Sequence, residues 1–176
     1  MKKSQLFSFL LCMALVFSLL PLSAYAESNT DTLPADNCSI NIVVNDDIGF
    51  VMNRDVKTNS ASVTKGKQYT SDSYNGYFYV VSTGQRISDH SFTAYFSYDG
   101  TMASCYDTNA SVVMDPGYSG NLRPKAENKG RNNLTPTLVY GYVTFVLYNS
   151  DNTVSTEVTI NVYCNQNGTT WIERQG

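Results

Sequence analysis

Apolar and polar residues alternate with a period of two along most of the chain beyond position 37, the pattern of half-buried β-strands. Cys38, Ile40, Ile42 and Val44 share one phase, and Ser39 and Asn41 share the other. Phe50 to Arg54 is a second short run. Ser60 to Thr70 holds two polar strand-like pieces around Lys65-Gly66, which reads as a hairpin or a sheet edge. Tyr77 to Ser82 is apolar in both phases, which predicts burial on both faces.

Two hairpins stand out. Phe92–Tyr98 and Thr101–Asp107 flank Asp99-Gly100, a favoured two-residue turn. That turn sets Phe96 opposite Ala103 and Ala94 opposite Cys105, so Cys105 shares the Phe92/Ala94/Phe96 face. Further on, Thr137–Tyr148 and Thr153–Cys164 pair through Asn149–Asn152. Val139, Gly141, Val143, Phe145 and Leu147 fall on one face of the first arm; Val154, Val158, Ile160, Val162 and Cys164 fall on one face of the second. A loop of two or of four residues brings these faces together, which makes them the core side. A last strand, Thr169 to Glu173, returns through Asn167-Gly168 and sets Trp171 opposite Cys164.

No amphipathic helix and no fixed-period repeat interrupt this rhythm. Short strands punctuated by Gly, Asn and Asp predict an all-β chain: one antiparallel β-sandwich domain, immunoglobulin-like or jelly-roll-like, over residues 38–173. The exception is 115–136, DPGYSGNLRPKAENKGRNNLTP, rich in proline and glycine and poor in apolar residues. It is expected as a long, poorly ordered loop. Its Arg123, Lys125, Lys129 and Arg131 make it locally basic on an acidic chain, a patch suited to an anionic partner.

The N-terminus follows a different rule. Met1-Lys2-Lys3 precedes an apolar run from Leu6 to Leu22, broken only by small polar residues and Pro21, and then the small residues Ala24 and Ala26. That is the layout of a cleaved signal peptide over residues 1–26, of a bacterial kind, and it predicts a secreted, extracellular product. Residues 27–37 are polar, carry Pro34, and read as a disordered leader. No second apolar run is long enough to span a bilayer once the signal is removed.

Composition then narrows the function. The 176 residues include 12 Lys and Arg, 15 Asp and Glu, 13 Tyr, 8 Phe and one His, with a net charge of −3. That acidic balance argues against an electrostatic nucleic-acid partner, which needs an extensive basic face. A single histidine rules out any site needing two of them, and no metal or cofactor motif is present. Asn45-Asp46-Asp47 and Asn149–Asn152 are oxygen-rich but lack a calcium-loop pattern, so they read as turns. His90, between Asp89 and Ser91, reads as a solvated residue before the Phe92 strand. Thr101-Met-Ala-Ser-Cys105 is similar to the threonine-containing strand before the nucleophile of sortase transpeptidases, which implies a His and an Arg beside the thiol. No arginine follows Cys105 until Arg123, and core packing of a small, soft side chain accounts for it.

An odd number of cysteines remains after signal removal: Cys38, Cys105 and Cys164. If one disulfide forms, Cys38–Cys164 is favoured, because first and late strands adjoin in Greek-key sandwiches. Tyr140, Tyr142, Tyr148 and Tyr163 share the face opposite the core residues of their hairpin, either as ordinary sheet aromatics or as a platform for a ligand. The expected function is a secreted, non-catalytic domain that binds an extracellular glycan or protein through those tyrosines. The alternative is a small secreted effector, a toxin or hydrolase inhibitor, acting through the 115–136 loop with Arg123 and Lys125.

Overall fold

A computed structural model describes residues 39–55, 62–64 and 66–175. The expected signal segment, the leader at 27–37 and Cys38 lie outside the described residues. Ten strands follow one another: β1 Ser39–Val43, β2 Ile48–Arg54, β3 Ser62–Thr64, β4 Lys67–Val80, β5 Arg86–Tyr98, β6 Ala103–Met114, β7 Arg123–Thr135, β8 Leu138–Tyr148, β9 Val154–Asn165 and β10 Thr170–Gln175. No helix occurs among the described residues. The strands make two antiparallel sheets, one in the order β1-β2-β4-β5-β6 with β3 beside β4, the other in the order β10-β9-β8-β7.

The expected β-sandwich is therefore the observed architecture, and its connections are local. Each sheet is built from one continuous run of strands, with β2 pairing β4 past the short β3, and the chain changes sheet between β6 and β7. Within its sheet described β1 pairs with β2, and across the sandwich it approaches β10, the strand that pairs with β9 at Cys164.

Alternation puts one face of each sheet into a shared core. Phe50, Phe78, Phe92 and Phe96 from the larger sheet meet Val143, Phe145, Leu147, Ile160 and Val162 from the smaller one, all fully buried. Val139, Val143, Phe145, Val158 and Cys164 are on the expected core side. Tyr77 and Tyr79 are not: Phe78 faces the core, and the two tyrosines point outward.

Asp72 and His90 are polar groups buried in this core. Asp72 is fully buried and accepts from Arg54 Nε at 3.0 Å, Arg54 Nη2 at 2.7 Å and Tyr74 Oη at 2.9 Å. The same Arg54 Nη2 donates to the Thr170 carbonyl at 2.7 Å and Oγ1 at 3.0 Å, which ties the larger sheet to β10 of the smaller one. At His90, the solvated loop residue expected from the sequence is instead a core residue of β5, 3 % exposed. Its ring stacks on Phe145 at 4.4 Å and meets Phe78 edge-on at 4.8 Å. The β4–β5–β6 ladder runs through it, pairing it with Gly76 and Val112.

The 115–136 stretch also departs from expectation. Outside regular structure are 115–122 and Pro136 in the turn to β8; from Arg123 the chain forms β7, which pairs with β8 along its length with irregularities after Glu127 and Asn133. Its residues are mostly exposed because β7 is an edge strand, and an edge strand needs little apolar content to be held by its ladder. The Pro124 ring and Gly130 fit an edge, where a missing donor or side chain is tolerated.

Turn chemistry sets each register. The β5–β6 turn closes with Asp99 N donating to Met102 O at 3.2 Å, so Phe96 faces Cys105 instead of Ala103; the phase is preserved and Cys105 stays in the core. In the β8–β9 and β9–β10 turns, three-residue loops end on Asn152 (φ 62°) and Gly168 (φ 82°). Such loops combine a turn with a left-handed third residue, a conformation Gly and Asn adopt most readily. An odd loop length reverses strand phase. A bulge at Leu147/Tyr148 reverses it back in β8–β9, so only Val154 is turned out, 53 % exposed. Nothing compensates in β9–β10, and the expected Trp171–Cys164 pair is replaced by Trp171–Tyr163.

Candidate functional site

That last reversal builds the site. Along the outward face of the smaller sheet, Asn132 of β7 pairs with Tyr140 of β8, Tyr140 with Tyr163 of β9, and Tyr163 with Trp171 of β10. Four strands thus contribute one row running at right angles to the chain, about 14 Å from end to end at the usual strand spacing. Ring centroids are 5.3 Å apart for Tyr140–Tyr163 and 5.3 Å for Tyr163–Trp171, and the second pair is nearly parallel at 11°. Tyr142 adds a fourth ring 6.0 Å from Tyr140 along β8. It lies over Gly130, where any Cβ would come within 2.9 Å of the ring.

The polar ends of the rings are held. Asn132 Nδ2 donates to Tyr140 Oη at 2.9 Å, Asn161 Nδ2 to Tyr163 Oη at 3.2 Å, and Trp171 Nε1 to Glu173 Oε1 at 3.0 Å. Burial raises the Tyr163 phenol above its ordinary pKa, so it remains a neutral hydroxyl at physiological pH. Asn161, 6 % exposed, keeps its Oδ1 buried and without a donor among the described residues. An unpaired buried acceptor costs about 1–3 kcal/mol, and such costs concentrate where surfaces are used.

Of the four expected tyrosines, three come together: Tyr140, Tyr142 and Tyr163. Tyr148 stands apart, separated on β8 by Thr144 and Val146, both buried on this same face. Its hydroxyl is engaged by Glu127, which raises its pKa, and Glu127 is in turn paired with Lys125 at 2.7 Å. Lys125 and Arg123 share this end of the face. The Arg123 guanidinium is turned to the carbonyls of Gly120 and Leu122, each at 3.0 Å. The expected basic patch is therefore largely tied to its own chain. Trp171 is the residue that sequence reasoning placed on the wrong face. The available signal was Asn165 followed three residues later by Gly168, which marks a three-residue turn; Asn165 Oδ1 accepts from Asn167 N and Thr169 N, each at 3.0 Å.

The thiols and the histidine form no reactive arrangement. Cys105 and Cys164 are buried free thiols, and burial pushes each up to about 12. His90 is packed among phenylalanines, and burial drives it down to about 3. With Cys38 outside the described residues, the Cys38–Cys164 pairing has only its second partner on view, a thiol whose Sγ lies 3.4 Å from the Asn165 carbonyl. No group of three or more metal-ligating His, Cys, Asp or Glu occurs among the described residues, and no helix there is long and apolar enough to cross a membrane. No family model, curated protein or solved structure matches this chain.

Proposed function

We propose that this chain is a secreted, non-catalytic binding domain that holds a glycan on the aromatic row of its smaller sheet. The observation that carries this is the contiguous Tyr142, Tyr140, Tyr163 and Trp171 surface, with its ring ends fixed by Asn132, Asn161 and Glu173. A pyranose presents apolar C–H faces and a hydroxyl rim. Rings that hold still offer the first a stacking surface at low entropic cost, and the surrounding amides and phenols offer hydrogen bonds to the second. The few charges near the row suit a neutral ligand. Secretion rests on the Met1–Ala26 pattern, which would place the domain among extracellular polysaccharides.

The test is co-sedimentation with insoluble cellulose, chitin, xylan and β-1,3-glucan, supported by a glycan array. The Tyr140→Ala/Trp171→Ala variant should lose binding and keep its cooperative unfolding transition. Binding that survives the double substitution refutes the reading. So does a variant that fails to fold, because the rings would then be a packing layer.

A further inference from the structure

The row closes on β7 at Asn132. Where the two sheets part between β6 and β7, a cleft of about 320 Å³ is lined by Cys105, Arg131, Asn132 and Asn133. Asn132 is the residue that holds the Tyr140 hydroxyl, so the cleft opens directly beside the row. Cys105 of its lining is followed on β6 by Tyr106. Arg131 reaches across from β7 and donates to the Tyr106 carbonyl, which fastens the two sides together. Tyr106 is 44 % exposed, a large apolar area for a tyrosine on a sheet. It packs with two more rings on the outer face of the larger sheet: Tyr69 at 5.9 Å and Tyr95 at 6.1 Å. Burial and the two neighbouring phenols raise the Tyr106 pKa, so its hydroxyl stays neutral.

Resting on the glycan reading of the row, we infer that the binding surface continues over the edge of β7, through the asparagine-lined cleft, onto the Tyr106 cluster, and that its ligand is a glycan polymer instead of a short sugar. Two aromatic stations separated by amides match a chain that alternates ring faces with hydroxyl rims. A mono- or disaccharide covers one station only. Asp107 and Glu173 stand at the two ends, and Arg131 is turned to a backbone carbonyl, so a polyanionic chain is disfavoured and a neutral one is accommodated.

The experiment is calorimetric titration of the mature chain with ladders of β-1,4-glucose, β-1,4-N-acetylglucosamine, β-1,4-xylose and β-1,3-glucose, each from disaccharide to octasaccharide. For at least one ladder, affinity should rise about tenfold or more with length, the gain expected from one further aromatic station. Tyr106→Ala/Asn133→Ala, at two exposed positions, should erase that gain and leave disaccharide affinity unchanged. If the double variant binds the longest member as the wild type does, the extension is wrong and the row alone is the site. Equal affinity of the wild type for short and long members overturns the extension in the same way. If no ladder binds, or if Tyr140→Ala/Trp171→Ala binds as well as the wild type, both readings fall. A Tyr106→Ala/Asn133→Ala protein that also loses disaccharide binding would overturn the two-station arrangement in particular.

Discussion

Acid should weaken this fold through His90, by an amount the structure lets us estimate. The imidazole is buried among Phe50, Phe78 and Phe145, shares one hydrogen bond with Ser88 Oγ at 2.7 Å, and leaves Nδ1 unpartnered among the described residues. Burial, with a smaller push from Arg86, takes its pKa from 6.5 in the unfolded chain down to about 3. Between those values the unfolded chain binds a proton that the folded chain refuses, so stability is full above pH 6.5 and is lost as pH falls toward 3. The slope approaches about 1.4 kcal/mol per pH unit, which amounts to roughly 2 kcal/mol between pH 7 and pH 5, before most carboxylates titrate. The assay is urea unfolding at about pH 7, 6 and 5 for the wild type and for His90→Phe/Ser88→Ala. Removing both hydrogen-bonding partners avoids leaving either one stranded. The larger phenyl ring shifts absolute stability at every pH but not its dependence on pH. The double variant should be flat where the wild type falls. A variant that declines in parallel with the wild type would show that His90 is not the acid-sensitive group.

Three further outcomes follow from the same packing. Arg54→Met strands the fully buried Asp72 carboxylate and releases the Thr170 carbonyl, and should cost about 3–5 kcal/mol by denaturant titration; an effect below about 1 kcal/mol would mean that the pair is not buried in solution. Cys105 and Cys164, pushed up to about 12, should resist a thiol reagent at neutral pH in the native protein and react promptly in denaturant, and fast native labelling of either would contradict the burial described. Gly141→Ala would set a Cβ 2.7 Å from Thr108 Cγ2 and 3.0 Å from Ala94 Cβ across the core, so it should lower stability by about 1–3 kcal/mol in thermal unfolding, and an unchanged melting temperature would refute that close approach.

The period of two along the chain was enough to determine the class of fold and most of what is buried. Alternation is a local property: once Val143, Phe145 and Ile160 share a phase, that face must leave water whichever strands it meets. For the same reason Tyr140, Tyr142 and Tyr163 could be assigned to one outer face from sequence alone. Three matters depended on the tertiary structure. An apolar-poor stretch such as 123–135 carries no strand signal of its own, and becomes a strand because the β8 edge offers its backbone a ladder. His90 is polar by type, and only the convergence of Phe50, Phe78 and Phe145 from three strands makes its position a core. Trp171 turned on a single residue of loop length, since an odd loop reverses every side chain that follows it. Whether a bulge then restores the phase, as at Leu147/Tyr148, is decided by how the paired strands twist and pack. The phase of a strand is written in its own residues; which partner and which side of the sheet it meets is settled only when the turns close.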